Sequence, residues 1–138
     1  NLARVLPRLA ERISRCRPQL RPLVDRLASA EITRRRCWLH GDLYARHLLL
    51  DDQRKLCGVI DWGDVHVGDP AMDLSIAFTF LPPGARKGFR EAYGGVDDDT
   101  WSRAQFRALH YGVVLLEYGQ GIGDDALTAA GAYALDNA

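Results

Sequence analysis

Between Asp42 and Asp61 the chain carries two short apolar runs, residues 48–50 and 56–60, separated by the five polar residues 51–55. Apolar runs joined by a short polar loop predict an antiparallel β-hairpin. A hairpin brings its outer ends together, so we expect both aspartates at one edge of it. Two carboxylates held close together repel each other unless a cation or a proton lies between them. The pattern therefore predicts a metal site at this edge.

The composition is that of a soluble globular protein. A chain of 138 residues is long enough for one domain with its own core. No apolar run approaches the roughly 20 residues that a membrane span needs. The N-terminus, interrupted by Arg4 and Arg8, does not resemble a signal peptide. Three widely spaced cysteines without a CxxC pair are typical of reduced, mostly buried thiols in a cytoplasmic protein: Cys16, Cys37 and Cys57.

The zero net charge conceals an uneven distribution. Residues 1–36 carry ten arginines against three acidic residues, a balance of +7, so the remaining residues carry −7. We favour the interpretation that oppositely charged surfaces of one domain pair with each other. The alternative is that the acidic part attracts a cationic substrate or a metal. A nucleic-acid partner is not expected, because the arginines lie on helical faces with almost no aromatic residues between them.

Apolar residues at three- and four-residue intervals predict amphipathic helices on both sides of the hairpin. After Asp61 the chain turns at Gly63 and Gly68, and Asp69-Pro70 supplies a cap and a first-turn proline for a buried helix. The predicted helices cover residues 2–15, 18–30, 70–80, 85–93, 101–118 and 124–135, and a strand covers 37–39. Glycines at 119, 121 and 123 are predicted to end the helix over 101–118. The fold class is therefore α+β and mostly helical.

Three motifs occur in order along the chain: Leu39-His40-Gly41-Asp42-Leu43, Val59-Ile60-Asp61-Trp62, and the run from Gly68 to Leu74. Together they resemble the aminoglycoside phosphotransferase (APH) family of small-molecule kinases. The resemblance spans about residues 38–75, and the flanking helices agree with the larger lobe of that family in type and order. It implies that residues 1–138 form the C-terminal lobe of a protein-kinase-like fold, in which a small β-hairpin carries the catalytic and metal-binding loops.

The chemistry of phosphoryl transfer assigns roles to the two aspartates. Transfer to an alcohol needs a carboxylate that orients or accepts the hydroxyl proton, and cations that hold the triphosphate oxygens. Asp42, on a glycine-bearing turn after a strand, suits the first task and is the predicted catalytic base. Asp61 is a hard oxygen ligand at a strand end, and by resemblance it corresponds to the metal-binding DFG aspartate of protein kinases. The resemblance implies ATP or GTP with Mg²⁺, and a small-molecule hydroxyl as acceptor.

His47 departs from the pattern of the family, which usually has a metal-binding Asn five residues after the catalytic Asp. An imidazole is a poor ligand for Mg²⁺, although macrolide kinases are among the relatives that resemble this chain in having His there. Whether His47 binds a metal ion beside Asp61 is therefore left open, and Asp64 is a candidate ligand in its place. The resemblance implies that His40 braces the catalytic loop and that Asp73 accepts its backbone N–H groups. Asp69 is interpreted as a helix cap.

Some residues allow a second interpretation. Glu117, Asp124 and Asp125 are candidate contacts for a cationic substrate, and a solvated helix end explains them equally well. The glycines from 119 to 123 are interpreted as a helix break, because no strand precedes them and no lysine follows them. Three aromatic residues of the same region are predicted to pack in the interior: Trp101, Phe106 and Tyr111.

The resemblance also implies a β-rich nucleotide-binding lobe with a lysine that grips the phosphates. Nothing before residue 37 is strand-like, and Lys55 and Lys87 are the two lysines of the chain. The sequence therefore predicts the larger lobe without its N-terminal partner lobe, and an isolated chain that does not turn over ATP. The resemblance leaves the class of the acceptor alcohol open. It could be an aminoglycoside (as in antibiotic resistance), a macrolide, a choline-like alcohol, a sugar or an amino alcohol.

Two other classes of function remain as alternatives. A non-catalytic module derived from this fold would bind a small molecule or a partner without using Asp42 chemically. A metal-dependent hydrolase would gather a cluster of ligands from the same region: His40, Asp42, His47, Asp61 and Asp64.

Overall fold

The computed structural model describes residues 2–27 and 36–138. Helices make up most of this part, and short strands occupy its middle. The described helices are α1 (Leu2–Cys16), α2 (Arg21–Leu27), α3 (Ala71–Leu74), α4 (Ile76–Thr79), α5 (Pro83–Tyr93), α6 (Asp98–Ile122) and α7 (Asp125–Asn137). The described strands are β1 (Cys37–Leu39), β2 (Leu48–Leu50), β3 (Leu56–Val59) and β4 (His66–Gly68). Single turns of 3-10 helix lie at Pro18–Leu20, Ala45–His47 and Trp62–Asp64.

The strands form two antiparallel pairs. β2 and β3 make the predicted hairpin, with Leu48 opposite Val59. Its turn is closed by the Asp51 carboxylate, which accepts hydrogen bonds of 2.9 Å from the backbone N–H groups of Gln53 and Lys55. β1, which was predicted, pairs with β4, a strand that the sequence did not predict. A three-residue strand whose partner is distant in sequence leaves no alternation of polar and apolar residues to detect.

Helix α6 is the central element, because both groups of buried apolar side chains include its residues. The first group joins α6 to α1, α2 and α7, and includes Ile13, Val24, Leu109 and Leu135. The second joins α6 to α3 and α4, and includes Leu74, Phe78, Ala104 and Ala108. Asp97 caps the start of α6 by accepting the backbone N–H of Thr100. The other described helices of both groups therefore pack against α6.

The predicted end of α6 near residue 118 was wrong, because the helix continues to Ile122 and ends at Gly123 with a φ of +70°. Gly119 serves the packing of α6 against α7, since a Cβ there would lie 2.6 Å from the backbone nitrogen of Thr128. A Cβ on Gly131 would lie 2.4 Å from the backbone nitrogen of Leu116. Gly119, which was predicted to end the helix, and Gly131 on α7 therefore allow the two helix backbones to approach closely.

Two other expectations need revision, and the end of the predicted second helix is not tested. The helix predicted over residues 70–80 is two short helices, α3 and α4, divided at Ser75, whose hydroxyl donates to the carbonyl oxygen of Met72. Cys57 is exposed rather than buried, because the two-stranded β2–β3 sheet leaves much of β3 open to solvent, whereas Cys16 and Cys37 are half-buried. The predicted second helix ends at Leu27 where it is described, and its last three residues lie outside the described ranges.

Charged pairs connect the basic N-terminal helix region to the acidic C-terminal helices. Arg12 pairs with Glu117 on α6, and Arg17 pairs with Asp136 on α7. These contacts agree with the interpretation that the opposite charges of the two regions meet within one domain. Within residues 2–27 and 36–138, no helix is both long enough and apolar enough to cross a bilayer.

Candidate active site

The two aspartates lie at neighbouring ends of the strands. β1 leads into His40, Gly41 and Asp42, while β3 leads into Ile60 and Asp61. The hairpin continues one step beyond the strands, because the backbone N–H of Ile60 donates to the carbonyl oxygen of His47 at 3.0 Å. This pairing places residue 47 beside residues 60 and 61.

Asp73 holds the loop that carries Asp42. Its carboxylate accepts the backbone N–H of His40 at 2.6 Å and that of Gly41 at 3.1 Å. Hydrogen bonds from backbone N–H groups to an ionised carboxylate are among the strong ones. Asp73 is half-buried at the start of α3, so this carboxylate fixes the loop to the helical core.

His40 joins the same loop to the end of β3. It is buried, and its Nδ1 accepts the backbone N–H of Asp42 at 3.3 Å. Its Nε2 lies 2.8 Å from the carbonyl oxygen of Ile60, which can only accept, so Nε2 carries the proton. Both ring nitrogens of His40 are thereby occupied by the backbone.

His47 lies between the two aspartates. Its Nδ1 lies 2.8 Å from the backbone carbonyl oxygen of Asp42, and a carbonyl only accepts, so Nδ1 is the donor. On the opposite side of the ring, Nε2 lies 3.4 Å from Oδ2 of Asp61. The buried His47 ring therefore connects the backbone of the first aspartate to the carboxylate of the second.

Asp61 has a backbone conformation that is uncommon for a residue with a side chain. Its φ is +63°, in the left-handed region, and its side chain is 68% exposed. Residues held in this region are enriched at functional sites, and Asp tolerates it better than most residues do. The next residue, Trp62, is anchored through its indole N–H to the carbonyl oxygen of Val59 at 2.8 Å. The Asp61 carboxylate is thus presented to solvent from a fixed turn.

The side chains around Asp61 fit a Mg²⁺ site better than a zinc site. No group of three or more His, Cys, Asp or Glu side chains converges anywhere in the part of the chain that the structure describes. That argues against a zinc site formed entirely by protein ligands, and the ligand cluster expected for a hydrolase is not assembled. Mg²⁺ commonly binds one or two carboxylates and takes its remaining ligands from phosphates and water. Asp61 fits that pattern.

A small pocket opens beside Asp42. Its volume is about 50 Å³, and it is lined by Gly41, Asp42, Leu43, Met72, Ser75, Thr79, Arg107, His110 and Tyr111. The last three come from α6, where positions i, i+3 and i+4 share one helix face. Arg107 and His110 were not among the predicted site residues, and Tyr111 was predicted to pack in the interior. Polar residues at this spacing on a largely apolar helix were the available signal.

The surroundings of the pocket shift the pKa values of these three residues. Desolvation, together with the negative charge of Asp42, raises the pKa of Tyr111 to about 12. Burial lowers the pKa of His110, and the cations Arg107 and Arg12 lower it further. At neutral pH the phenol therefore keeps its proton, while His110 is neutral. Desolvation also lowers the pKa of Arg107, against the opposite effect of nearby carboxylates.

The remaining predicted site residues have mainly structural partners. Asp69 accepts the backbone N–H of Ala71 at 3.0 Å, as a helix cap does, and also binds the buried Arg103 at 2.8 Å. Asp124 caps α7 by accepting the backbone N–H of Leu127 at 2.9 Å, and Glu117 pairs with Arg12.

Asp64 and Asp125 are exposed, and Asp64 provides its backbone carbonyl to the Nδ1 of His66 at 2.8 Å. Phe106 is buried in the first core group and Trp101 packs against the second, as predicted.

Gly41→Ala is expected to destabilise the loop that carries Asp42. Gly41 has a φ of +90°, and a Cβ there would lie 2.2 Å from the backbone oxygen of Asp64. Left-handed backbone alone costs an L-residue about 1–2 kcal/mol, and the contact with a backbone atom adds to that. Urea unfolding should show the loss. The matched control is Gly88→Ala, in the middle of α5, where a Cβ meets nothing within 4 Å. Unfolding free energies that fall equally in both variants would contradict the expectation.

Comparisons with known proteins bear on this arrangement. A model of the phosphotransferase enzyme family, APH, matches residues 1–107. YcbJ, an uncharacterized protein of Bacillus subtilis (strain 168), is 30% identical over 67 residues, which are 49% of this chain and 22% of that protein. The solved structure of a macrolide 2'-phosphotransferase type I superposes with a TM-score of 0.51 at 23% identity. That superposition covers 95% of this chain and 48% of the other, so the chain spans about half of the enzyme's length.

The structural likeness establishes the fold, which is the predicted C-terminal lobe of the protein-kinase-like fold. The ordered motifs of residues 39–74 lie within the matched range. Since the family model covers well over half of the chain, this chain belongs to the phosphotransferase enzyme family, APH.

Proposed function

We propose that this chain is the C-terminal lobe of a small-molecule phosphotransferase that moves the γ-phosphoryl group of ATP or GTP to an alcohol. Asp42 is the catalytic base and Asp61 is the ligand of Mg²⁺. The observation that carries the proposal is the position of His47, which contacts the backbone oxygen of Asp42 at 2.8 Å and the carboxylate of Asp61 at 3.4 Å. A base and a metal ligand held together in this way match what phosphoryl transfer requires.

The chain's own residues divide the work between them. Bound ATP or GTP would supply the phosphoryl group, and Mg²⁺ held by Asp61 would supply positive charge for the phosphate oxygens. Asp42, at the edge of the small pocket, orients the acceptor hydroxyl and takes its proton as the new O–P bond forms and the bond to the leaving nucleoside diphosphate breaks. The transition state of such transfers is loose, so positioning contributes more than the strength of the base.

His47 acts in this proposal as a positioning residue for Asp61. Its Nδ1 proton is engaged by the carbonyl oxygen of Asp42, so the ring orientation is fixed. Imidazole is a poor ligand for Mg²⁺ compared with carboxylate or amide oxygen. The exposed Asp64 remains an alternative second ligand, since its side chain makes no hydrogen bond with a described residue.

A second lobe would cover the apolar cleft near the site. Trp38, Trp62 and Val65 line a cleft of about 270 Å³ while being 75%, 56% and 43% exposed. Exposed apolar surface of this kind often marks a contact with a partner or a ligand. The two lysines of the chain lie elsewhere, Lys55 in the hairpin turn and Lys87 in α5 beside Glu91. We propose that a nucleotide-binding lobe supplies the lysine that binds the phosphates of the nucleotide. That lobe would act with this chain in the cytoplasm.

The test compares the 138-residue chain with a two-lobe enzyme, defined as this chain joined to a nucleotide-binding lobe. That lobe is taken from the upstream reading frame of the gene, if one is encoded there, or from the macrolide 2'-phosphotransferase. Transfer of labelled γ-phosphate to a panel of alcohols is measured. We expect transfer by the two-lobe enzyme and none by the isolated chain. Transfer by the isolated chain would contradict the need for a second lobe, and a two-lobe enzyme that transfers to no alcohol class would contradict the phosphotransferase proposal.

A further inference from the structure

The small pocket beside Asp42 approaches that residue from a different side than Asp61 does. Neither Asp61 nor His47 is among its lining residues, which come from the Asp42 loop, from α3 and α4 with the intervening Ser75, and from α6. If Asp61 marks the side of the metal and the phosphates, this pocket lies on the side of the acceptor. Its chemistry therefore bears on which alcohol the enzyme phosphorylates.

Arg107 is the cation of this pocket. It makes no hydrogen bond or ion pair with any residue in the described ranges, although the charges of Asp73, Asp42 and Asp69 act on it through space. Arg107 is exposed on the surface of α6, where partial desolvation lowers its pKa, and an arginine stays charged at any physiological pH. A guanidinium without a partner binds carboxylate or phosphate oxygens well, because its N–H groups match their geometry.

The other polar groups of the pocket also favour a ligand rich in oxygen. Tyr111 keeps its phenolic proton, since its pKa is about 12, and can donate a hydrogen bond. His110 is neutral, so Asp42 and Arg107 are the charged residues among those that line the pocket. An ammonium group placed here would meet the Arg107 cation. The net acidity of residues 37–138 is thus a poor guide to the acceptor.

We infer that the acceptor is a small alcohol that carries a carboxylate or a similar compact oxyanion close to its reacting hydroxyl, with Arg107 binding the oxyanion. This inference rests on the proposed function, in which Asp42 receives the hydroxyl proton. The volume of about 50 Å³ is a few times the roughly 10–15 Å³ that a cavity needs to hold one water molecule, which fits a group of a few heavy atoms. A whole aminoglycoside ring does not fit inside it.

The test uses three probes that share a hydroxyl and differ in charge: glycerate, glycerol and ethanolamine. Each is titrated into the 138-residue chain, without nucleotide, while backbone amide signals are followed by NMR. We expect glycerate to shift the signals of Ser75, Thr79 and Tyr111 and to bind at least tenfold more tightly than glycerol. Arg107→Gln should remove this difference. The matched control is Arg46→Gln, an exposed arginine whose nearest carboxylate is Asp124 at 4.0 Å.

The outcomes separate this inference from the proposed function. Ethanolamine that binds these residues as tightly as glycerate, glycerate binding that Arg107→Gln leaves unchanged, or a pocket that none of the probes shifts would each overturn it. In the two-lobe enzyme, an Arg107→Gln variant that loses nucleotide affinity but keeps glycerate affinity would assign Arg107 to the phosphates and also overturn it. Glycerate binding depends on no phosphoryl transfer, so it can succeed even where the transfer assay fails.

Discussion

Asp42→Asn in the two-lobe enzyme is expected to lower kcat by about 10²- to 10⁴-fold, the usual contribution of a positioned general base. In the proposed mechanism the substitution removes the group that takes the hydroxyl proton, while it preserves the shape of the loop. The contacts that hold residue 42 are made by its backbone, whose N–H donates to His40 and whose carbonyl oxygen accepts from His47. The KM for nucleotide should therefore change little, and initial rates of labelled phosphate transfer check both quantities.

The matched control for this prediction is Asp52→Asn. Asp52 is an exposed carboxylate in the turn of the β2–β3 hairpin, so its loss also removes one negative charge from the chain. That variant should keep its full rate. Transfer by Asp42→Asn above one-tenth of the parent rate would show that Asp42 is not the base. Ligand binding that persists without any Asp42-dependent chemistry would favour a non-catalytic binding module.

Asp61→Asn is expected to weaken binding of a divalent cation by roughly tenfold or more, since even the outer partners of metal ligands contribute 10- to 100-fold. Mn²⁺ is a suitable probe in the 138-residue chain, because it broadens NMR signals of nearby nuclei. In the parent chain, Mn²⁺ should broaden the amide signals of His47, Ile60 and Trp62. In Asp61→Asn the same broadening should need at least ten times more Mn²⁺.

The variant should fold as the parent does, because Asn tolerates the left-handed backbone of residue 61 at least as well as Asp. Asp64→Asn is the comparison variant, since Asp64 is exposed, lies three residues away and is the alternative ligand. Equal effects of the two substitutions would mean that the cation is held by the general negative charge of this turn. Broadening that survives Asp61→Asn and disappears in Asp64→Asn would move the metal ligand to Asp64.

The sequence was most informative where structure is set by neighbouring residues. The apolar runs before and after residues 51–55 predicted the β2–β3 hairpin, and the hairpin explains why residue 47 lies beside Asp61. Asp69 was recognisable as a helix cap, because a cap depends on the residues that follow it directly. The three ordered motifs predicted the family, which the family model confirms.

Sequence patterns were least informative where structure depends on distant contacts. β4 exists because it pairs with β1, and its own three residues carry no strand pattern. Gly119 was interpreted as a helix end, yet its function is close contact with α7, which only the packed structure reveals. The bond between Arg103 and Asp69 has the same origin, since it joins α6 to the start of α3.

The pocket beside Asp42 shows the same limit in the site itself. Part of its lining comes from the Asp42 loop, which the motifs identified. Arg107, His110 and Tyr111 come from α6, far along the chain. On a helix, three polar residues at this spacing normally form a solvated face. Their relation to Asp42 becomes visible once α6 packs against α3 and α4.

The separate anchoring of the Asp42 loop has a consequence for how new enzymes of this kind could arise. Asp73 and His40 hold the loop that carries Asp42 through backbone hydrogen bonds in which the polar face of α6 takes no part. Arg107, His110 and Tyr111 can therefore vary as a set while the reaction chemistry stays intact. Under the proposed function, randomising these three codons in the two-lobe enzyme is expected to change which alcohol is phosphorylated while the Asp42 loop keeps its structure.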